Sequence, residues 1–183
     1  MQHLKFATSN AGKLREASEI LGFPMGQINV ELDEIQTTNV EELIRHKAIE
    51  AYKKAGANVI VEDSWLEFVS WNGLPGALIK WFESTVKIEG ILKMFENFEN
   101  RDAVAICYIA MHDWENTYIA KWEVKWKISY KPAWKNGFWW DVIFIPDGYD
   151  ETFAELPSDI KNQISQRKLA FENFKELLKN SWN

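Results

Sequence analysis

The chain has 183 residues, of which 46% are hydrophobic, and a formal net charge of −6. This length suffices for a substantial core, so we expect residues 1–183 to form a single domain. The acidic balance argues against binding to nucleic acid polymers, which need a basic surface. No apolar run approaches the roughly 18 residues of a membrane span, and no signal peptide is recognised at the N-terminus, so we expect no membrane partner. The single cysteine, Cys107, excludes a disulfide within the chain and favours the reducing cytoplasm.

The first predicted elements are a strand over residues 4–8 and a helix that ends at Leu21. The turn between them, residues 9–13, is small and polar. A helix N-terminus presents backbone N–H groups to anions, and Lys13 adds a positive charge there. This turn is therefore a candidate phosphate site, with an ordinary strand-to-helix turn as the alternative.

A second strand is predicted over residues 27–32, and a helix follows it and ends near Gly56. Apolar side chains at helical spacing give this helix one buried face. Lys47 lies at the border of that face. A lysine in such a place usually extends its ammonium group to solvent, which is the alternative to a functional role.

Residues 59–80 are the stretch around which the chain is organised. Residues 59–61 are apolar and β-branched, which predicts a buried strand that ends at Glu62, Asp63 and Ser64. In an open α/β sheet, ligands bind beyond the carboxyl ends of the strands. An acidic pair there suits a hard cation such as Mg²⁺. The alternative is a strand that ends at the surface with no ligand.

The rest of the chain alternates between helical and strand periodicity. The pattern predicts a helix over residues 87–98, a hairpin of strands 103–111 and 117–128, a strand over 141–145, and helices over 158–167 and 169–178. Helices that alternate with strands, together with one long hairpin, predict an α/β domain with a mixed β-sheet.

Seven separated motifs occur together in the order and spacing of one protein family. They are FATSNAGKLRE (6–16), DEIQ (33–36), VEDS (61–64), NGLPGALIKWF (72–82), FWWD (138–141), IPDGYDETFAEL (145–156) and KNQISQR (161–167). With these motifs the chain resembles the inosine triphosphate pyrophosphatases along nearly its whole length. The resemblance implies a two-lobed α/β fold with an elongated mixed β-sheet, flanking helices and a central nucleotide-binding cleft. It also implies a homodimer, dependence on Mg²⁺, and hydrolysis of ITP, dITP and XTP to the monophosphate and pyrophosphate.

The resemblance further implies roles for individual residues. Asp63 would orient or deprotonate the attacking water, and Glu34 and Asp63 would hold Mg²⁺ with Glu62 as support. The purine would stack on Phe138, and hydrogen-bond donors would favour a 6-keto base over adenine. The residues implied in substrate binding are Thr8, Ser9, Asn10, Ala11, Gly12, Lys13, Lys47, Ser64, Lys80, Phe138, Trp139, Trp140, Asp141, Lys161, Gln166 and Arg167.

Two departures from the family pattern concern its site. Gln166 stands where the family usually has histidine, and an amide cannot carry charge. Tryptophan stands at five positions where related chains have glycine, namely Trp65, Trp122, Trp126, Trp134 and Trp139, and Trp114 lies in a predicted hairpin turn, where glycine is favoured. An alternative function is therefore a fold relative that binds nucleotides but is inactivated by these rings. A pyrophosphatase for modified pyrimidine nucleotides is disfavoured by the DEIQ and PDGY motifs.

The six tryptophans have a second explanation. We hypothesise that the source organism reads UGA codons as glycine, and that standard translation wrote tryptophan in their place. Trp114 fits this hypothesis because it lies in a predicted hairpin turn, where glycine supplies a positive φ without strain. Standard UGG codons at these positions in the native gene would contradict it.

Overall fold

The computed structural model describes residues 4–33, 35, 37, 39–133 and 139–181. The strands in this part of the chain are β1 (Lys5–Ala7), β2 (Gly26–Ile28), β3 (Val59–Phe68), β4 (Pro75–Gly76), β5 (Asp102–His112), β6 (Thr117–Ile128) and β7 (Phe144–Pro146). They form one sheet in the order β2-β1-β3-β5-β6-β7, with β4 paired to β3. β1 is parallel to β2 and β3, whereas β4 is antiparallel to β3 and β7 to β6. The predicted α/β fold with a mixed sheet is confirmed.

The helices of the described residues are α1 (Ala11–Leu21), α2 (Val40–Ala55), α3 (Ile79–Trp81), α4 (Lys87–Met94), α5 (Ser158–Ile164) and α6 (Gln166–Ser181). α1 and α2 end at Gly22 and Gly56, as predicted, with φ values of 84° and 60°. Glycine adopts this left-handed conformation without a steric cost, so both helices stop there. No helix in the described residues is both long and apolar enough to cross a membrane.

The chain forms two compact units, each assembled from separate stretches of sequence. Unit 1 contains Met1–Ser64, Cys107–Trp122 and Gln166–Asn183, and unit 2 contains Trp65–Ile106 and Glu123–Ser165. Strands β3, β5 and β6 each contribute residues to both units. Motifs from the beginning, middle and end of the sequence therefore meet within unit 1.

In unit 1, helices cover the sheet on both faces. Side chains alternate between the two faces along a strand, and β3 shows this clearly. Ile60 packs on one face with α1 and α6, through residues that include Ala17, Leu21, Phe171 and Phe174. Val59 and Val61 pack on the other face with α2, through Ile44, Ala48 and Ala51. Both clusters are fully or almost fully buried and form the core of this unit.

β3 is longer than the sequence analysis predicts. The expected end at Glu62 is wrong, because the strand continues to Phe68. Trp65, Leu66 and Phe68 are buried and extend its apolar pattern. β1, in contrast, pairs with β3 only at Val59 and Ile60. Glu62 and Asp63 thus lie within β3, just beyond the residues that pair with β1, and not at the end of β3 itself.

Other element boundaries also differ from the prediction: β2 ends at Ile28 rather than at residue 32, and α4 ends at Met94 rather than at residue 98. Asp141 lies in a short helical turn, Trp139–Val142, and not in a strand. The Ile143 N–H closes this turn on the Trp140 carbonyl at 3.0 Å, so β7 begins only at Phe144. Ser165 has extended backbone angles that separate α5 from α6. α6 therefore begins at Gln166, three residues earlier than predicted.

The unusual tryptophans differ in burial. Trp65 and Trp126 are each 2% exposed, whereas Trp114 is 77% exposed and Trp122 is 41% exposed. The side chains of Trp134 and Trp139 lie outside the described residues. The expectation of a positive φ at position 114 is wrong, because among described non-glycine residues only Asn72 and Lys87 have one.

Trp126 is the most informative of these tryptophans. Its ring packs edge-on against Phe144 and Phe153, with centroid distances of 5.1 and 4.9 Å. Its Nε1–H is buried and has no hydrogen-bond partner among the described residues. A buried N–H without a partner costs about 1–3 kcal/mol, which is an unusual burden for a native core side chain.

The glycine hypothesis makes a prediction that Trp126→Gly can test. Removing the orphan N–H offsets about 1–3 kcal/mol of the roughly 3–5 kcal/mol that loss of the Trp126 packing costs, so we expect a net loss of only about 2 kcal/mol. The matched control is Trp71, which lies in the same unit, stacks on Phe95 and is not one of the six. Trp71→Gly should lower the free energy of unfolding by about 3 kcal/mol or more, since it opens a cavity. Thermal melting measures both variants, and a loss at Trp126 as large as that at Trp71 would contradict the hypothesis at this position.

Candidate functional site

The pleat of β3 sends its two neighbouring carboxylates to opposite faces of the sheet. Glu62 lies on the same face as Ile60, toward α1 and α6, and Asp63 lies on the same face as Val61, toward α2. The acidic pair is therefore not one cluster. Each carboxylate has its own set of partners within unit 1.

Glu62 is enclosed by hydrogen-bond donors, and its side chain is only 1% exposed. Four side chains donate to its two oxygens: Lys13 Nζ at 2.8 Å, Arg167 Nε at 3.2 Å, Ser64 Oγ at 2.7 Å and Cys107 Sγ at 3.7 Å. Lys13 lies on α1, Arg167 on α6, and Cys107 on β5. Glu62 thus joins three elements that are far apart in the sequence.

The electrostatics of this cluster favour its charged form. Burial alone would raise the pKa of Glu62, but the charges of Arg167 and Lys13 outweigh it and hold that pKa well below its usual range. Burial would likewise lower the pKa of Arg167, but the Glu62 carboxylate raises it above its ordinary value. For Cys107, burial and then the charge of Glu62 raise the pKa, so the thiol remains a neutral donor.

A second carboxylate, Glu16, approaches Arg167, with 3.6 Å between its Oε2 and the Nη1 of the guanidinium. Burial raises the pKa of Glu16 above its ordinary value, although the charge of Arg167 opposes this shift. The sequence analysis did not include Glu16. The available signal was its position one turn after Lys13 on α1, which places both side chains on the same face of the helix.

Asp63 is more accessible than Glu62. One of its oxygens accepts a hydrogen bond from Lys47 Nζ at 2.6 Å, and the other accepts one from the Ser64 N–H at 3.1 Å. The Asp63 side chain is 15% exposed. Lys47 is 6% exposed, so the alternative that this lysine extends to solvent is wrong.

The predicted phosphate turn is closed by its own side chains. Asn10 caps α1, and its Oδ1 accepts from the N–H groups of Gly12 at 2.9 Å and Lys13 at 3.2 Å. The Asn10 N–H in turn donates to Thr8 Oγ1 at 3.1 Å. A Cβ on Gly12 would lie 3.1 Å from Asn10 Oδ1, which explains why glycine suits this position. A phosphate that used those two N–H groups would have to displace the cap.

Unit 2 contains several of the other predicted site residues. Lys161 Nζ lies 3.1 Å from Asp141 Oδ2 and 4.6 Å from the centroid of the Phe153 ring. Asp141 and Trp140 are buried, whereas Lys80 is exposed on α3. Glu34, Phe138 and the side chain of Trp139 lie outside the described residues, so their predicted roles remain predictions.

Gln166 belongs to unit 1, where it is the first residue of α6, and it is 7% exposed. Its Oε1 has no hydrogen-bond partner among the described residues. A buried amide oxygen usually accepts a hydrogen bond. Gln166 is therefore equipped to accept one from a ligand.

Comparisons with known proteins agree with this geometry. The sequence model of the Ham1 family matches residues 4–177. The chain belongs to the Ham1 family. This result confirms its resemblance to the inosine triphosphate pyrophosphatases, because relatives with that name are similar over nearly the whole chain.

Two curated relatives and two solved structures illustrate this Ham1 similarity. The inosine triphosphate pyrophosphatase of Yarrowia lipolytica is 40% identical over 94% of each chain, and the dITP/XTP pyrophosphatase of Methanopyrus kandleri is 37% identical over 96% of each chain. The Ham1 protein of Coxiella burnetii has a TM-score of 0.87 and 28% identity, and covers 98% of this chain and all of its own. The Ham1 protein of Staphylococcus aureus has a TM-score of 0.84 and 27% identity, over 98% of this chain and 99% of its own.

The donor set of this Ham1 chain fits a hard cation better than a zinc ion. In the described residues, no group of three or more histidine, cysteine or acidic side chains converges as a metal site. Asp63 offers partly exposed carboxylate oxygen. Mg²⁺ is typically bound through one or two carboxylates, several waters and substrate phosphates. Asp63 therefore fits a magnesium ligand better than Glu62, whose side chain is 1% exposed and already contacts four donors.

The Asn10 cap gives a stability prediction for the Ham1 chain. Asn10→Ala should reduce the free energy of unfolding by about 1 kcal/mol, because it leaves two N–H groups of α1 without their partner. The matched control is Asn39, which caps α2 through a single bond at 3.3 Å. Asn39→Ala should cost less. Chemical denaturation measures both, and an equal or greater loss at Asn39 would contradict the importance of the double cap.

Proposed function

We propose that this chain hydrolyses non-standard purine nucleoside triphosphates, namely ITP, dITP and XTP, to the monophosphate and pyrophosphate. The observation that carries the proposal is the meeting of two cations, Lys13 and Arg167, at Glu62 on one face of β3, in a chain whose net charge is −6. Locally concentrated cations suit a polyphosphate ligand. The names of its relatives support the same substrate class. No observation favours a nucleotide-binding relative that lacks turnover.

The cations supply the binding and charge stabilisation that phosphoryl transfer requires. The side chains of Lys13 and Arg167 are 27% and 22% exposed, so each holds Glu62 and still reaches solvent. A lysine ammonium has three N–H donors and a guanidinium has five. Both groups therefore have further donors for phosphate oxygens after their contact with Glu62.

Asp63 is the proposed catalytic residue. Its partly exposed oxygens can accept a hydrogen bond from a water and orient it or take its proton. Lys47 holds this carboxylate in place from α2 at 2.6 Å. We further propose that Asp63 and Glu34 hold Mg²⁺. When bound, this ion would neutralise phosphate charge and acidify a coordinated water.

Selectivity for the base is proposed to depend on hydrogen bonds that adenine cannot match. The 6-keto purines accept a hydrogen bond at position 6 and carry an N–H at position 1, and adenine has the reverse pattern. Gln166 provides a buried oxygen acceptor, and Arg167 provides donors. Adenine would place its N1 acceptor against the Gln166 oxygen and leave that oxygen without a donor, which is a costly mismatch. In unit 2, Lys80, Trp140, Asp141 and Lys161 remain proposed substrate-binding residues.

The resemblance also supports two finer proposals. We propose that the chain forms a homodimer, which sedimentation equilibrium at micromolar concentration would test. We propose a cytoplasmic location, which the presence of a single, buried cysteine supports.

A substrate panel at fixed Mg²⁺ tests the proposed function. We expect release of pyrophosphate from ITP, dITP and XTP, and much slower release from ATP. Calorimetry with ITP distinguishes the inactive alternative, since binding without release of pyrophosphate would favour it. Hydrolysis of ATP as fast as ITP would contradict the proposed selectivity.

Asp63→Asn tests the catalytic assignment. The amide keeps the shape but removes the charge and the base, so kcat should fall by about 10²–10⁴-fold. The melting temperature should also fall, because the buried Lys47 loses its counter-charge, so kcat is measured at a temperature where circular dichroism shows the variant folded. The control is Asp102→Asn, which removes one charge from an exposed position on β5 and should retain parental kcat. Parental activity in Asp63→Asn would remove this residue from the mechanism.

Gln166→Leu tests the proposed contact with the base. The variant keeps a similar volume and loses the amide, so KM for ITP should rise by roughly 10-fold or more, while KM for ATP should change little. Steady-state kinetics with both nucleotides give kcat/KM for ITP and for ATP. If the ratio of kcat/KM for ITP to that for ATP is unchanged, Gln166 does not read the base.

A further inference from the structure

We propose that Glu62 is a positioning residue that fixes Lys13 and Arg167 in the orientation that stabilises the triphosphate as it reacts, an inference that rests on the proposed function. Its carboxylate acts through these two cations. It binds neither the metal nor the substrate. This role differs from the metal support that the sequence analysis assigned to it.

The hydrogen bonds of Glu62 leave it no other role in the described structure. Arg167, Ser64 and Cys107 donate to Glu62 Oε1, and Lys13 donates to Oε2. The Glu62 side chain is 1% exposed. The three donors leave Oε1 no lone pair for another partner, and the burial of the side chain restricts the access of a metal ion, a water or a phosphate to Oε2.

The geometry of the two cations shows why they need this carboxylate. Lys13 belongs to the first turn of α1 and Arg167 to the first turn of α6. Two positive charges that meet at one carboxylate would repel each other without it. Glu62 contacts Lys13 through Oε2 and Arg167 through Oε1. It therefore sets both the separation of the two cations and the direction of their remaining N–H groups.

Neighbouring residues fix the carboxylate itself. Ser64 lies two residues along β3 on the same face and donates to Glu62 Oε1 at 2.7 Å. Cys107 on β5 approaches the same oxygen at 3.7 Å. These contacts come from β3 and β5, two neighbouring strands of the sheet. The sheet therefore fixes the carboxylate, and through it the orientation of the two cations, although helices carry those cations.

Glu62→Gln is the first test. The amide keeps the shape but loses the charge, so the cations separate and are oriented less well. We expect kcat for ITP to fall by roughly 10²-fold, as for a misplacement of about 1 Å. KM should stay equal or decrease, because a negative charge has been removed beside a polyanion. A merely structural defect would instead raise KM and lower kcat together.

The matched control is Glu19→Gln. Glu19 lies on α1 like Lys13 and is exposed, so this variant removes one negative charge from the same helix but leaves the cluster intact. It should retain the parental kcat and KM. The control separates the local effect of Glu62 from the change in net charge.

Two more variants keep the inference falsifiable if Glu62→Gln does not fold. Glu62→Asp retains the charge but is one methylene shorter, so it cannot reach both cations, and kcat should fall with KM little changed. Glu62→Gln in a Lys13→Ala background should lower kcat by a smaller factor than in the parent, because one of its two partners is already absent. Parental kcat in Glu62→Asp, or equal factors in both backgrounds, would overturn the inference.

Inorganic tripolyphosphate separates failure of this inference from failure of the proposed function. If the parent does not release pyrophosphate from ITP, the proposed function fails, and calorimetry with tripolyphosphate alone then decides the role of Glu62. Glu62→Gln should bind tripolyphosphate roughly fivefold more tightly than the parent, and Glu19→Gln should bind it equally. Unchanged affinity in Glu62→Gln would overturn the inference whatever the activity of the parent.

Discussion

The alternation of side chains along β3 is the constraint on which the site depends. Because consecutive residues of a strand point to opposite faces, Glu62 and Asp63 cannot serve the same group. Glu62 meets the cations of α1 and α6, and Asp63 meets Lys47 of α2. Each helix reaches the strand from the face that it already covers in the hydrophobic core. The packing that stabilises unit 1 is thus the same packing that delivers its charged side chains.

This arrangement gives the two carboxylates different roles, one in holding other side chains and one in chemistry. Glu62 accepts from four side chains and is almost completely buried, which fixes its position and removes it from exchange with solvent. Asp63 accepts fewer described hydrogen bonds and is partly exposed. Removing one partner of a buried ion pair usually costs several kcal/mol, because the remaining charge is left without compensation. The buried member is therefore suited to a fixed role, and the accessible member to chemistry.

Much of the fold could be predicted from the sequence, because periodicity and helix ends are local signals. Gly22 and Gly56 end α1 and α2 where expected, and β6 has the predicted bounds. The end of β3 could not be predicted in the same way. Glu62 and Asp63 look like the end of a strand, and only cations from α1, α2 and α6 make them tolerable inside one. The break at Ser165 likewise depends on tertiary structure, since the polar sequence on both sides reads as a continuous helix.

Cys107 has a consequence that is independent of the chemistry of the site. Its thiol is buried against the Glu62 carboxylate, and both burial and that charge oppose formation of the reactive thiolate. An alkylating reagent can therefore modify it only when the sheet of unit 1 opens. With no other cysteine in the sequence, the rate of labelling reports that opening alone. The protein thus carries its own probe of local unfolding beneath the cluster, and a bound ligand that holds the cluster closed would slow the labelling.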